Sequence, residues 1–122
     1  MPALERGGYK YRQQVETGTR LGGGRHMIDA IASKDGEDLL VSLKWQQTSG
    51  TAEQKVPFEV MCLADVVRAG GAQRAYLVLG GDRWKLRDYY VSGALREHLI
   101  HSAFVRVVTL EAFVRLANNG EL

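Results

Sequence analysis

One cysteine and two prolines in 122 residues leave this chain with little covalent bracing. A lone cysteine excludes an internal disulfide and a thiolate cluster for zinc. Cys62, between Met61 and Leu63, reads as a small buried hydrophobe rather than a nucleophile. No apolar run approaches the roughly 20 residues of a membrane span. The opening Met1-Pro2-Ala3-Leu4-Glu5-Arg6 lacks the apolar stretch of a secretory signal, so a cytoplasmic address is expected. The net charge of +2 is too small for binding nucleic acid by charge alone. Gly22-Gly23-Gly24 lacks the lysine and hydroxyl that close a phosphate loop, and it reads as a connector. His98 and His101 lack the spacing and the internal glutamate of a zinc-protease helix.

What remains is one α/β domain with no internal repeat. Tyr9 to Thr19 reads as a helix, with Tyr11, Gln14 and Val15 near one side. His26 to Ser33 suits a strand, placing Met27, Asp29 and Ile31 on one face and Ile28, Ala30 and Ala32 on the other. Leu39 to Gln47 alternates as a second strand, with Ser42, Lys44 and Gln46 sharing a face. Val56, Val60, Leu63 and Val67 recur at helical spacing, and Gly70-Gly71 ends that helix. Pro57 belongs in a first turn, so the helix is expected to begin near Lys55 or Val56. Arg74 to Leu79 is a buried strand, Leu86 to His101 a helix, Phe104 to Thr109 a strand and Leu110 to Asn118 a terminal helix.

Asp29 and Lys44 fall on consecutive strands joined by the turn-like stretch from Ser33 to Glu37. A carboxylate buried among apolar neighbours is costly unless it is paired or bound to metal. A carboxylate and an ammonium brought together on a sheet suit metal-dependent phosphodiester cleavage, the one holding a cation and the other lying near the attacked phosphate. Cations gather in two groups, Arg6, Lys10, Arg12, Arg20 and Arg25, then Arg83, Lys85 and Arg87. Each group suits either a phosphate backbone or a solvated surface. Trp84, Tyr89 and Tyr90 suit core packing better than base stacking.

The element order, with Met27-Ile28-Asp29-Ala30 and Ser42-Leu43-Lys44, resembles the PD-(D/E)xK nuclease superfamily of restriction endonucleases and Holliday junction resolvases. The resemblance implies a small mixed central sheet flanked by helices. It also implies magnesium, with manganese as a substitute, and cleavage of duplex or branched DNA by a homodimer. In one respect the chain departs from the family: Ser42 stands where an acid is usual, two residues before the lysine. Some restriction enzymes of similar pattern take the missing glutamate from the following helix. Glu59, whose phase borders the apolar stripe, is preferred over Glu53 for that role, and neither is the third alternative. The resemblance then makes Asp29 and the displaced glutamate the metal ligands, with an added one from Glu16, for which Glu5 competes. Lys44 would act on the water or phosphate, Ser42 on a metal-bound water, and Gln46 on a phosphate oxygen. His26, Arg25, Lys10 and Arg12 are candidate DNA contacts. The rival expectation is a domain that kept the fold and lost catalysis.

Overall fold

Alternate residues of the central strands feed two separate cores, which places helices on both faces of one sheet. The computed structural model describes residues 2–19, 23–46 and 52–122. Within them run α1 (Pro2–Arg6), β1 (Lys10–Thr19), β2 (Arg25–Lys34), β3 (Glu37–Trp45), α2 (Ala52–Arg68), β4 (Arg74–Gly80) and α3 (Arg87–Val91). A turn of 3-10 helix (Ala94–Glu97), β5 (Val105–Thr109) and α4 (Leu110–Asn118) complete the order. The sheet is β1-β2-β3-β4-β5, antiparallel from β1 to β3 and parallel from β3 to β5. Residues 47–51, which include the connector expected around Thr48-Ser49-Gly50, lie outside the described residues.

Leu40, Leu77, Leu79 and Val107 form a first core with Val56, Val60 and Leu63 of α2, the stripe expected from the sequence. Leu39, Val41, Tyr76, Val78 and Val108 form a second core with Leu4 of α1 and Phe113 and Ala117 of α4. Among the described residues, no helix is long and apolar enough to cross a membrane.

The alternation breaks in two adjacent strands at the same level, and β1 carries a further register shift between Glu16 and Thr19. Ala30 and Ala32 face the second core, yet Ile28 and Ile31 both face the first. On β1, Tyr11 packs against the second core and Val15 against the first. The paired positions Gln13↔Ala30 and Val15↔Ile28 bracket Gln14 and Asp29, and Gln14 has φ of 53°. Both strands therefore change face at Gln14 and Asp29. This corrects the expectation that Asp29 shares a face with Met27 and Ile31.

Three helical expectations also change. Of the expected helix Tyr9 to Thr19, Lys10–Thr19 is edge strand β1, where Tyr, Val and Thr suit a half-buried pleat. Leu86 to His101 holds only α3 and the 3-10 turn, because Gly93 is left-handed at φ 86° and Ser92 Oγ donates to the Tyr89 carbonyl. Finally, α2 starts at Ala52, which leaves Pro57 inside it. A proline there cannot donate to the carbonyl four residues back, that of Glu53. The Tyr90 hydroxyl donates to that carbonyl instead, at 2.8 Å. Burial first, then the charges of Glu53 and Tyr89, raises the Tyr90 phenol above its ordinary pKa, so it remains a donor.

Tyr90→Phe is therefore expected to cost about 1–3 kcal/mol in urea unfolding, the penalty of a stranded buried carbonyl. Restoring the helical N–H with Pro57→Ala in the same chain should recover much of that loss, a coupling that a double-mutant cycle reads directly.

Candidate active site

At the level where β1 and β2 change face, β2 also parts from β3. Their paired positions run from Lys34↔Glu37 to Ala30↔Val41. Beyond them the Asp29 side chain replaces the backbone, with Oδ2 accepting the Leu43 N–H at 2.6 Å. A charged acceptor makes this bond stronger than the amide bond it replaces. Asp29 is half-buried, and the next residue on β3 after its donor is Lys44.

Glu59 reaches the sheet from α2. Its Oε2 lies 3.5 Å from Lys44 Nζ, and its Oε1 lies 3.0 Å from His26 Nε2. The carboxylate is 12% exposed and the lysine 28%, so the pair sits at the rim rather than in the core. His26 is 2% exposed, and its Nδ1 is buried without a partner among the described residues. A proton on Nε2 suits this setting, since Nδ1 then carries only a bare lone pair rather than a stranded donor.

The other candidates separate into internal partners and surface groups. Glu53 is nearly buried, and its Oε1 accepts the Leu86 N–H at 2.6 Å. Gln46, read from sequence as a phosphate contact, is 5% exposed, and its Nε2 donates to the Arg83 carbonyl at 2.7 Å. His26, read likewise, is buried against Glu59. Both have internal partners and little exposed surface. Ser42 is buried on the α2 side of β3. Glu16 lies exposed on β1 opposite Met27, on a strand rather than at a helix end. Lys10 and Arg12 are exposed on the same strand. Arg25 opens β2, and its side chain lies outside what the structure describes.

Gln46 and Glu53 together pin one loop. Arg83 N donates to the Gln46 carbonyl at 3.3 Å, and Glu53 takes Leu86 three residues later. The exposed Arg83, Lys85 and Arg87 are thereby held beside the end of β3 that carries Lys44. Two participants escaped the sequence reading, the Leu43 main-chain N–H and the His26 contact to Glu59. The Ile28-to-Ile31 spacing of two buried isoleucines carried the signal for the second, since it implies a change of face just after His26.

The profile of the PD-(D/E)XK nuclease superfamily domain matches residues 2–121. Among solved structures, the crystal structure of AF1548, a protein of unknown function, is similar with a TM-score of 0.55 at 16% identity. The match covers 88% of this chain and 53% of that one, so the chain spans about half the length of that protein. At this identity the likeness speaks to fold alone. No curated protein matches the chain.

His26 and Lys44 touch one carboxylate from unequal depths, and truncating them should cost unequally. His26→Ala is expected to lower unfolding free energy by about 2–4 kcal/mol, through the cavity and the lost buried bond. Lys44→Ala should change it by no more than about 1 kcal/mol, the range of a partly solvated pair. Chemical denaturation of the two variants side by side measures the difference.

Proposed function

This chain belongs to the PD-(D/E)XK nuclease superfamily, and we propose that it is a divalent-metal-dependent endonuclease acting on DNA. The observation that carries the reading is the position of Glu59, a carboxylate supplied from α2 to the lysine whose strand lacks its own acid at Ser42. Glu59 is thus the displaced acid in this reading. Glu53 is not, because its carboxylate is occupied with the Leu86 amide.

The donor chemistry suits magnesium. Asp29 and Glu59 offer hard carboxylate oxygens, and a site with two carboxylates leaves positions for phosphate and water. Among the described residues there is no group of three or more His, Cys, Asp or Glu side chains fit to hold an ion, so substrate would complete the coordination. When bound, the cation supplies Lewis-acid polarisation of the phosphate and a more acidic water, and manganese would substitute for magnesium.

The chain's own residues do the rest. The Leu43 N–H fixes one Asp29 oxygen and so the direction of the other. His26 holds Glu59 from beneath, which limits the rotamers of a long, flexible acid. The Lys44 ammonium offsets charge that builds on the phosphate oxygens as the bond breaks. Arg83, Lys85 and Arg87, on the loop pinned by Gln46, follow the phosphate backbone, with Lys10 and Arg12 on β1 as a second set. One domain offers one such site, so cutting both strands takes two copies of the chain.

Nicking of supercoiled plasmid and of a four-way junction, in magnesium and in manganese, tests this directly. Asp29→Asn, Lys44→Ala and Glu59→Gln should each slow cleavage by about 100-fold or more while DNA binding in calcium persists. Glu53→Gln should still cut, at reduced thermal stability. Undiminished cutting by Glu59→Gln would remove it from the site. A wild-type chain that binds DNA yet cuts neither substrate would leave a binding domain of the same fold.

A further inference from the structure

We infer that Glu53 is a positioning residue for substrate, setting the loop from Gly81 to Leu86 as a stiff clamp on the DNA backbone. This rests on the nuclease reading above and adds the residue that governs how tightly substrate is held, rather than how fast it is cut.

The loop is held at both ends by groups outside it. At the first, Gly81 has φ of 90°, and a Cβ there would overlap the Gln46 carbonyl. Arg83 gives its N–H to that carbonyl at 3.3 Å, and its own carbonyl accepts Gln46 Nε2 at 2.7 Å. At the far end Leu86 precedes α3 without a side-chain cap, and its N–H goes to Glu53 Oε1 at 2.6 Å. The Glu53 carbonyl also takes the Tyr90 hydroxyl at 2.8 Å. One residue of α2 thus fixes the start of α3 at two points.

Between the anchors, the side chains divide. Trp84 is buried with its Nε1 on the Gly80 carbonyl, whereas Arg83, Lys85 and Arg87 are exposed. Arg83 pairs with Asp82 at 4.0 Å, but both side chains are largely in solvent, and such a pair yields to phosphate at little cost. Gln46 lies two residues after Lys44, on the same side of β3, and Glu53 lies on the helix that carries Glu59. The two anchors and the Lys44–Glu59 pair therefore belong to the same two elements.

Glu53 is 9% exposed, and a buried carboxylate is costly unless it is partnered. Its bond to the Leu86 amide is charge-assisted, and it sets a negative charge at the base of a loop whose three cations repel one another. A loop fixed before binding loses little freedom on contact. Without Glu53 the same cations remain, on a segment that must be ordered by the DNA itself.

The test uses the whole chain, with plasmid nicking in magnesium and duplex binding in calcium across a range of salt. Glu53→Ala should raise KM about tenfold, leave kcat within about twofold, and lower the salt slope of binding by about one phosphate contact. Glu53→Gln keeps an oxygen for the Leu86 N–H and should stay close to wild type in both. Gly81→Ala, which forces the loop off the Gln46 carbonyl, should repeat the rise in KM. Lys85→Ala should weaken binding in the wild-type chain but add little to Glu53→Ala, a coupling that a general loss of stability does not produce.

A fall in kcat at saturating DNA with KM unchanged would put Glu53 in the cleavage site and overturn the clamp. So would additive effects of Lys85→Ala and Glu53→Ala, or a folded Glu53→Ala chain with KM and salt slope untouched. If Glu53→Ala does not fold, an unchanged KM in Gly81→Ala overturns the clamp in its place. A wild-type chain that binds DNA without cutting it would sink the cleavage reading alone, since the binding arms still read the clamp. Loss of cutting in Asp29→Asn beside additive loop effects would sink the clamp alone.

Discussion

Where β2 parts from β3, the Asp29 carboxylate accepts the Leu43 N–H in place of a backbone carbonyl, and much of the rest follows from that bond. A strand that leaves its neighbour strands main-chain donors, which are costly to bury unpaired. Asp29 satisfies the donor nearest the split and lets β2 change face there. The change of face matters further along. With unbroken alternation His26 would lie with Ala30 and Ala32 against the second core. It lies instead toward α2, where it meets Glu59. The departure of one strand thus creates both the position of Asp29 and the support beneath Glu59.

Helix phase then separates two acids that the sequence leaves in competition. Glu53 and Glu59 are six residues apart on α2, which at 100° per residue leaves them about 120° apart around the axis. One helix cannot aim both at the same point. Glu53 falls toward α3, where Tyr90 takes its carbonyl and Leu86 its carboxylate. Glu59 falls toward β3. The serine at position 42 fits this division, since it is buried on the face of β3 that α2 covers. A carboxylate there would add negative charge close to Glu59 with one lysine to balance both, and like charges at short range disfavour joint ionisation.

The parts of the fold legible in the sequence are those with a single unbroken period. The stripe from Val56 to Leu63, the alternation of Leu39 to Trp45 and the buried run of β4 all stand as expected. What misled was interruption. β1 carries a polar pair, Gln13 and Gln14, where it changes face, which made Tyr11 and Val15 resemble one side of a helix. β2 places Ile28 and Ile31 on one face at a spacing of three, a distance that an unbroken strand cannot give. Leu86, Tyr90, Leu95 and Leu99 kept an approximate helical spacing through a segment that Gly93 divides. Asp29, Lys44 and Glu59 were legible as residue types. The main-chain donor at Leu43 was not, because an amide has no side-chain signature.

β3 also shows why register decides the site. Leu43 offers its amide to Asp29, Lys44 turns its ammonium toward Glu59, and Trp45 turns its ring the other way. A slip of one residue would send the lysine to the apolar side and the indole beneath α2. The parallel pairing with β4 resists such a slip at the very end of the strand. Gly80 is the position at which the indole can lie flat, and its carbonyl is held by both Gln46 and Trp84. A slip back along β4 would bring the ring against Leu79, and the two donors would lose their shared acceptor. The glycine that seats the tryptophan is therefore also what keeps Lys44 facing Glu59.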